Sequence, residues 1–433
     1  MQNETKEPGR KLGFFMTVAL VMGNMIGSGV FLLPQGLAPF GWNAIAGWAI
    51  TIAGALCLAH VLARLTATHE GAIGPAELVE RSFGPLAGFL IGFAFWVSVW
   101  TGCVTIAVGA VSYLASFLPI LGEHPSLSAL GVIWTMTGIN LLGVRSAGSF
   151  QVVTTILKII PLLVVAVLTA LIFTRQGTAS LAPFPVEGLS LPSVNAAAAM
   201  TLWAMVGFEA ACAASHKIEN PQRNVPRATF LGALLAGVLY LIVCSGITLM
   251  LPADQVAASN APFALFVSTF WSPQAASFIA LFAAISAIGA VNGWTLVQGE
   301  LPLEMARRRM MPDWFARTAA NGVAVNGLLT ASVLGSLLIF ANSNQSMGGL
   351  FTFMALLTTS VTLWLYLACA AVALKRRIAI PFAVAGLVFG VWSLWGAGWE
   401  AGGLSILLML AGLPLYWWAR RSLPNSEASA ITF

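Results

Sequence analysis

Three glycines, an asparagine and a serine stand together at residues 23–29, inside the first long apolar stretch of the chain. Each glycine in a helix interior costs about 1 kcal/mol relative to alanine. A broken helix in hydrocarbon also exposes backbone groups, and it is tolerated where that backbone lines a cavity or is buried in protein. Unwinding around Gly27, Ser28 and Gly29 would free amide groups at the positive end of the next half-helix, beside the Ser28 hydroxyl. This motif therefore predicts a binding site for a carboxylate.

A second motif, Trp-Ala-Met-Val-Gly-Phe-Glu at residues 203–209, interrupts a later apolar segment. A break after Trp203 would free carbonyl oxygens between Trp203 and Val206, and such oxygens suit an ammonium group. A carboxylate site that faces an ammonium site matches the part that all α-amino acids share. The two motifs together predict an amino-acid site.

Two charged side chains, Lys158 and Glu209, fall deep inside apolar segments, away from their ends. An isolated ammonium at the centre of a membrane helix costs at least about 2.5–3.5 kcal/mol. Lys158 lies too deep for easy snorkelling, although a snorkelling lysine is the simpler alternative. Glu209, with Phe208 beside it, is a candidate for gating or proton coupling; the structural alternative is a buried hydrogen-bond acceptor that steadies the break.

The segments that carry these residues must span a membrane, because 58% of the residues are hydrophobic and 8% are charged. Runs of roughly 17–30 apolar residues are long enough to cross about 30 Å of hydrocarbon. Twelve such runs are predicted, at 14–38, 43–66, 85–118, 126–145, 149–173, 193–216, 228–251, 275–303, 324–341, 348–374, 379–397 and 402–419. We expect a loop near 217–227.

The two broken segments are the first and sixth spans, about 180 residues apart. Because five is an odd number of crossings, two five-helix units with this spacing must be inverted relative to each other. Interrupted spans at matching positions of two halves indicate an inverted-repeat secondary transporter with its site at the midplane. The prediction is an all-α membrane protein of twelve helices with discontinuous helices 1 and 6. We expect a single domain at 12–420, between tails at 1–11 and 421–433. This domain comprises two repeats, at about 12–173 and 193–374, followed by two further helices at about 379–419.

Basic residues predict the orientation. With a cytoplasmic N-terminus, 18 of the 20 lysines and arginines lie inside, Arg175 lies outside and Lys158 lies within a span. The positive-inside rule then places both termini in the cytoplasm of a cell (inner) membrane protein. The net charge of +5 needs no nucleic-acid partner, since basic loops face anionic lipid.

The chain resembles the amino acid–polyamine–organocation superfamily, including its bacterial arginine/agmatine antiporters. The matching residues are Gly23, Asn24, Gly27, Ser28, Gly29, Val30, Phe31, Pro34, Trp203, Gly207, Glu209, the loop 219–226 and the run 293–295. The resemblance implies that Ser28 and Gly29 bind the substrate carboxylate and that carbonyls at Met25, Trp203 and Val206 bind the amino group. It also implies that Trp294 stacks on the substrate side chain, that Glu209 acts in gating, and that Lys158 bonds the unwound backbone of span one in place of a sodium ion. Whether Lys158 carries protons or is a fixed cation stays open.

Two departures from that pattern bear on the substrate. Cys103 stands where the arginine/agmatine antiporters have an asparagine, and Met354 where they have a serine, with Thr358, Thr359 and Ser360 one turn further on. A guanidinium pocket would thereby lose polar partners. These substitutions favour exchange or proton-coupled uptake of neutral amino acids, with a cationic amino acid or amine antiporter as the alternative and a non-transporting receptor or scaffold as the alternative from another class.

No catalytic motif of an enzyme is present, and neither the five cysteines nor the four histidines have the spacing of a metal site. We expect no cofactor. The expected partners are a small amino-acid substrate, protons, the lipid bilayer and, as is common in the family, a second copy of the chain.

Overall fold

The computed structural model describes residues 11–27, 29–68, 74–143 and 157–421. Ser28, nearly all of both predicted tails and the first part of the fifth predicted span lie outside these residues. The helices of the first half are α1 (Phe14–Met25), α2 (Gly29–Leu37), α3 (Trp42–Ala67), α4 (Pro75–Phe83), α5 (Pro85–Leu114), α6 (Ile120–Glu123), α7 (Pro125–Leu141) and α8 (Ile159–Gln176).

The second half continues the all-helical pattern. Its helices are α9 (Leu191–Met205), α10 (Ala210–Ala213), α11 (Pro221–Met250), α12 (Ala253–Ala258), α13 (Pro262–Phe270), α14 (Pro273–Arg307), α15 (Val325–Ala341), α16 (Met347–Lys375), α17 (Ile380–Gly396), α18 (Gly398–Leu410) and α19 (Leu413–Arg421). Short 3-10 helices lie at Ala38–Phe40, Gly177–Ser180, Ser215–Lys217 and Asp313–Ala316.

Most of these helices have the length and composition of membrane spans. Within the described residues, 8 helices are long and apolar enough to cross a membrane, and the bent pair Phe14–Met25 and Gly29–Phe40 makes a ninth. Three further helices, α7, α15 and α17, have 17 residues each, near the shortest length that spans hydrocarbon. The predicted all-α membrane fold with breaks in the first and sixth spans is confirmed.

Helix starts follow local sequence. Six helices begin at a proline, which fits the first helical position because its missing N–H would have no partner there: α4, α5, α7, α11, α13 and α14. This preference corrects one boundary. The stretch 217–227, predicted as a loop because it is polar, is helical from Pro221 onward, so the seventh span begins seven residues earlier than the predicted start at residue 228.

The helices that surround the two breaks form the interior of the bundle. Most residues of α5 are buried, as are long stretches of α9 and α16, whereas few residues of α8 and α18 are buried. The chain before α1 is also joined to the chain after α10. The Leu12 amide donates to the Lys217 carbonyl at 2.8 Å, and the Glu219 amide donates to the Leu12 carbonyl at 2.9 Å. The two broken spans are thus linked at this end of the bundle.

Candidate functional site

The first span breaks between α1 and α2, and the two half-helices meet at a bend of 53°. The helical bonding pattern ends when the Ile26 amide donates to the Met22 carbonyl at 2.8 Å. The Gly27 amide then turns back to the Met25 carbonyl at 2.7 Å. Ser28 lies outside the described residues, and Gly29 begins α2. The backbone is therefore interrupted where the glycine motif predicts.

Lys158 lies at this break. Its side chain is 5% exposed, and its ammonium donates to the carbonyl oxygen of Gly23, in the last turn of α1. Carbonyls in the last turn of a helix have no partner within the helix, and they carry the negative end of its dipole. Lys158 thus caps the first half-helix with a positive charge.

The sixth span breaks directly after α9, which ends at Met205. Val206 is extended, with φ −64° and ψ 141°, and Gly207 has φ +115°, a conformation that favours glycine. The Gly207 carbonyl accepts a hydrogen bond from Asn24 Nδ2 at 3.0 Å. A Cβ on Gly207 would lie 3.2 Å from both Asn24 Nδ2 and the Asn24 carbonyl oxygen. Asn24 thus joins the two breaks through a close approach that only glycine allows.

Glu209 follows this break and is buried, with 7% of its surface exposed. Its Oε2 accepts hydrogen bonds from the Gly207 amide at 3.1 Å and the Tyr366 hydroxyl at 2.8 Å. Its Oε1 has no hydrogen-bond partner among the described residues. Phe208 is fully buried and stacks on the Tyr366 ring, with the centroids 4.7 Å apart. Tyr366, which the sequence motifs did not single out, therefore contacts both gating candidates.

A cavity of about 50 Å³ lies between the two breaks. This volume is smaller than the roughly 300–1,000 Å³ of small-molecule sites. Eight of the predicted site residues line it: Asn24, Met25, Gly27, Gly29, Trp203, Val206 and Glu209 from the broken spans, and Trp294 from α14. Among the lining residues that the structure describes, Glu209 alone has an ionisable carboxyl or basic side chain.

The Trp203 indole crosses this cavity from span one to span three. A Cβ on Gly29 would lie 2.1 Å from Trp203 Nε1, and a Cβ on Gly102 would lie 3.7 Å from the far end of the ring. The indole N–H is buried without a hydrogen-bond partner in the described part of the chain. An unpaired buried donor costs free energy, so this N–H and Glu209 Oε1 are two polar atoms at the cavity that a ligand would satisfy.

Two predicted contacts lie elsewhere. Cys103 is buried near Thr295 of α14, and Met354 is fully buried in the packing of α16. Neither is among the residues that line the cavity, where the neighbouring Gly102 takes the place of Cys103. The side chains of Cys103 and Met354 are therefore weak indicators of substrate polarity.

Three hydroxyl groups that were not predicted as substrate contacts line the cavity instead, those of Ser98, Thr358 and Thr362. Each donates its hydrogen locally or lies near another hydroxyl: Ser98 to the Phe95 carbonyl at 2.7 Å, Thr362 to the Thr358 carbonyl at 2.8 Å, and Thr358 3.3 Å from Thr105 Oγ1. Their oxygens keep lone pairs that can accept from a ligand. The cluster of hydroxyl residues at 358–360 was the sequence signal that pointed to this wall.

No group of three or more His, Cys, Asp or Glu side chains in the described residues is arranged to hold a metal ion. The five cysteines are free thiols. Within the described structure, the chemistry of the site is carried by backbone, hydroxyl, indole, ammonium and carboxyl groups.

Comparison with known proteins covers nearly the whole chain. A family model described as "Amino acid permease" matches residues 12–431. The cadaverine/lysine antiporter of Escherichia coli (strain K12) is 32% identical over 349 residues, which are 78% of this chain and 77% of that protein. The putrescine transporter PotE of the same strain is 28% identical over 424 residues, which are 94% of this chain and 95% of that protein.

Proposed function

Because the chain belongs to the amino acid permease family, within the amino acid–polyamine–organocation superfamily, we propose that it exchanges a cationic amino acid for a cationic amine by alternating access. It is a transporter and not an enzyme. The observation that carries the proposal is the free Oε1 of Glu209 at a cavity between two broken spans.

Charge balance favours a cationic substrate. A buried carboxylate is costly unless a cation pairs with it, and Glu209 is the charged group of the described lining. A zwitterion with a basic side chain carries one net positive charge, so it would neutralise an ionised Glu209, whereas a neutral amino acid would not. The two relatives named above carry cadaverine, lysine or putrescine in their names, and this agrees with the same class of substrate.

Each part of the substrate has a proposed partner. The carboxylate would lie at the start of α2, against Gly29 and the adjoining Gly27 and Ser28, where a helix N-terminus favours an anion. The α-ammonium would contact the carbonyls of Met25, Trp203 and Val206. A second ammonium would contact Glu209 and the aromatic faces of Trp203 and Trp294, to which cations are attracted; the hydroxyls of Ser98, Thr358 and Thr362 would complete its surroundings.

Exchange of neutral amino acids, the leading expectation from Cys103 and Met354, is now the second candidate. Those two residues do not line the cavity, which removes the main argument for it. One observation still favours it: most of the lining is apolar, including Met25, Val30, Phe95 and Ile106. A receptor or scaffold without transport is disfavoured by the family and leaves both breaks without a role.

The deciding experiment is counterflow in liposomes that contain the purified full-length chain. Uptake of labelled lysine would be measured with internal cadaverine, putrescine, lysine, leucine or no amine. We expect uptake with the internal cationic compounds and little with leucine. The proposal fails if leucine and alanine exchange while lysine and the diamines do not.

A charge-neutral variant separates the two candidates further. Glu209→Gln should reduce lysine and diamine exchange at least about tenfold, since a hydrogen bond to a charged group contributes roughly 1.5–3 kcal/mol.

Repeating the assay across an imposed pH gradient tests proton coupling. The same liposomes, probed with a membrane-impermeant thiol reagent on cysteines introduced at the two ends of the chain, test the proposed cytoplasmic termini.

A further inference from the structure

Three arginines converge on one crevice away from the substrate cavity. Arg64 lies in the last turn of α3, and Arg223 and Arg227 lie in the first two turns of α11. All three are exposed. With the rings of Phe14, Phe230 and Phe382 they line a crevice between α1, α3, α11 and α17. We call this surface the arginine crevice.

The three arginines of the crevice have no acidic partner among its described lining residues. Arg64, Arg223 and Arg227 take part in no salt bridge with another described residue, in contrast to Arg308, which lies 2.5 Å from the buried Glu77. No carboxylate lines the crevice among the described residues. The Glu219 carboxylate lies near Gly13, which precedes the lining residue Phe14 in the chain, with Oε2 3.8 Å from the position of a Cβ on Gly13. Arg223 and Arg227 are also four residues apart on one helix, a spacing at which like charges destabilise the helix. An anion in the crevice would relieve that repulsion.

The other wall is apolar and opens to the surface. Phe230 is 37% exposed and Phe382 is 40% exposed, and the His60 ring packs at a tilt against Phe382 with the centroids 4.4 Å apart. Free phosphate would use the arginines but would leave these rings uncovered. An amphiphile that carries an anionic headgroup and apolar chains would satisfy both walls.

We propose that the arginine crevice is a binding site for an anionic phospholipid, which places its phosphate among Arg64, Arg223 and Arg227 and its acyl chains along Phe230 and Phe382. The proposal rests on the expected cytoplasmic orientation of this end of the bundle, where the leaflet supplies such lipids. It does not depend on which substrate the cavity carries.

The test measures lipid retention by the full-length protein in detergent, with phosphatidylglycerol or phosphatidylcholine of identical acyl chains added. Bound lipid would be counted by native mass spectrometry, and the melting temperature would be recorded. Each basic residue near an anionic surface contributes about fivefold in affinity. The R64Q/R223Q/R227Q variant should therefore bind phosphatidylglycerol about a hundredfold more weakly, with phosphatidylcholine unaffected.

A matched control removes three other exposed cations from the same end of the bundle, with the changes Lys217→Gln, Arg317→Gln and Arg421→Gln. It should retain phosphatidylglycerol like the wild type. Equal loss in the test and control variants would mean that general charge attracts the lipid, which overturns the site. Equal retention by the wild type and the crevice variant also overturns it.

Two further arms identify the occupant. If inorganic phosphate raises the melting temperature as much as phosphatidylglycerol does, the crevice binds free anions. If the crevice variant loses a dimer but keeps its lipid, the crevice is a contact between copies of the chain. Either result overturns the proposal. If the crevice variant does not fold, a photoreactive benzoylphenylalanine at position 230 leaves all three arginines intact. It should crosslink labelled phosphatidylglycerol in preference to phosphatidylcholine, and equal labelling would contradict the proposal.

Discussion

The ammonium of Lys158 donates a hydrogen bond to the carbonyl oxygen of Gly23, where the first half-helix of span one ends. This contact gives a partner to a backbone carbonyl at the end of the half-helix, at the break that contributes to the cavity. An ammonium at this position is attracted to the negative end of the helix dipole.

We expect Lys158→Met to lose transport while it keeps the apolar stem of the lysine. The Gly23 carbonyl would be left unpaired, a penalty of about 1–3 kcal/mol that falls on the break. Initial counterflow rates per amount of inserted protein should drop about tenfold or more. Arg175→Met, which removes an exposed cation from the far end of α8, is the control and should retain its rate. If Lys158→Met exchanged substrate at the wild-type rate, Lys158 would have only a structural or snorkelling role.

The hydroxyl of Tyr366 fixes one oxygen of Glu209 at 2.8 Å. Tyr366→Phe should weaken exchange of cationic substrates about tenfold, since hydrogen bonds to charged groups contribute roughly 1.5–3 kcal/mol. Tyr240→Phe is a close control, because the Tyr240 hydroxyl is buried without a hydrogen-bond partner in the described structure; its removal should leave transport and stability unchanged or slightly improved. The substrate affinities of the two variants would be measured by the thermal stabilisation that the substrate produces. Equal losses of affinity in Tyr366→Phe and Tyr240→Phe would contradict the role of Tyr366.

Gly29 and Trp203 occupy adjoining space that a methyl group would fill. In Gly29→Ala the new Cβ would lie 2.1 Å from Trp203 Nε1, so the indole must move. Overpacking of this kind costs about 1–3 kcal/mol. We expect Gly29→Ala to lower both the melting temperature and substrate affinity, and to have a much smaller effect in a Trp203→Ala background.

Gly102→Ala is the companion variant, because its Cβ would make ordinary contacts of 3.6 Å with Thr358 and 3.7 Å with Trp203. It should leave the melting temperature unchanged while narrowing the cavity for large substrates. A double-mutant cycle of Gly29→Ala and Trp203→Ala measures the coupling free energy between these two residues. Additive effects of the two changes would show that their contact carries no interaction energy.

Outside the membrane spans, α4 carries two glutamates with opposite roles. Glu77 lies 2.6 Å from Arg81 and 2.5 Å from Arg308. Burial raises the pKa of Glu80 above its ordinary 4.5; Arg308 opposes this rise and Glu77 adds to it. A carboxyl whose pKa is higher in the folded state binds its proton more tightly there. Its stabilising contribution is therefore full below about pH 4.5 and is lost as the pH rises through the raised pKa.

It follows that Glu80→Gln should be as stable as the wild type or more stable at pH 7, with the difference vanishing towards pH 4. Glu77→Gln should instead lose about 2 kcal/mol at pH 7, since both arginines lose a charged partner. Melting temperatures of the detergent-solubilised variants between pH 4 and pH 8 would decide this. A destabilised Glu80→Gln at pH 7 would mean that the contact with Arg308 outweighs the cost of burial.

The membrane fold and the position of both breaks followed from the sequence because their causes are local. Glycines and an asparagine inside an apolar run cannot continue a stable helix without compensation, and residues 23–29 and 203–209 break where that argument requires. The contact of Lys158 with span one was expected from family resemblance and is present in the structure. The predicted start of the seventh span was wrong because the residues after Pro221 are polar and were assigned to a loop, although a proline favours helix initiation.

What the tertiary structure alone decided is which side chains face the cavity. Gly102, Thr358 and Thr362 line it, whereas Cys103 and Met354 do not, and Tyr366 completes the surroundings of Glu209. A soluble helix shows its buried face by a period of 3.6 residues. A membrane helix is apolar towards lipid and towards its neighbours alike, so its sequence fixes depth in the bilayer but not rotation about its axis. That rotation is set by packing between helices far apart in the chain, and it determines the surroundings of a substrate side chain.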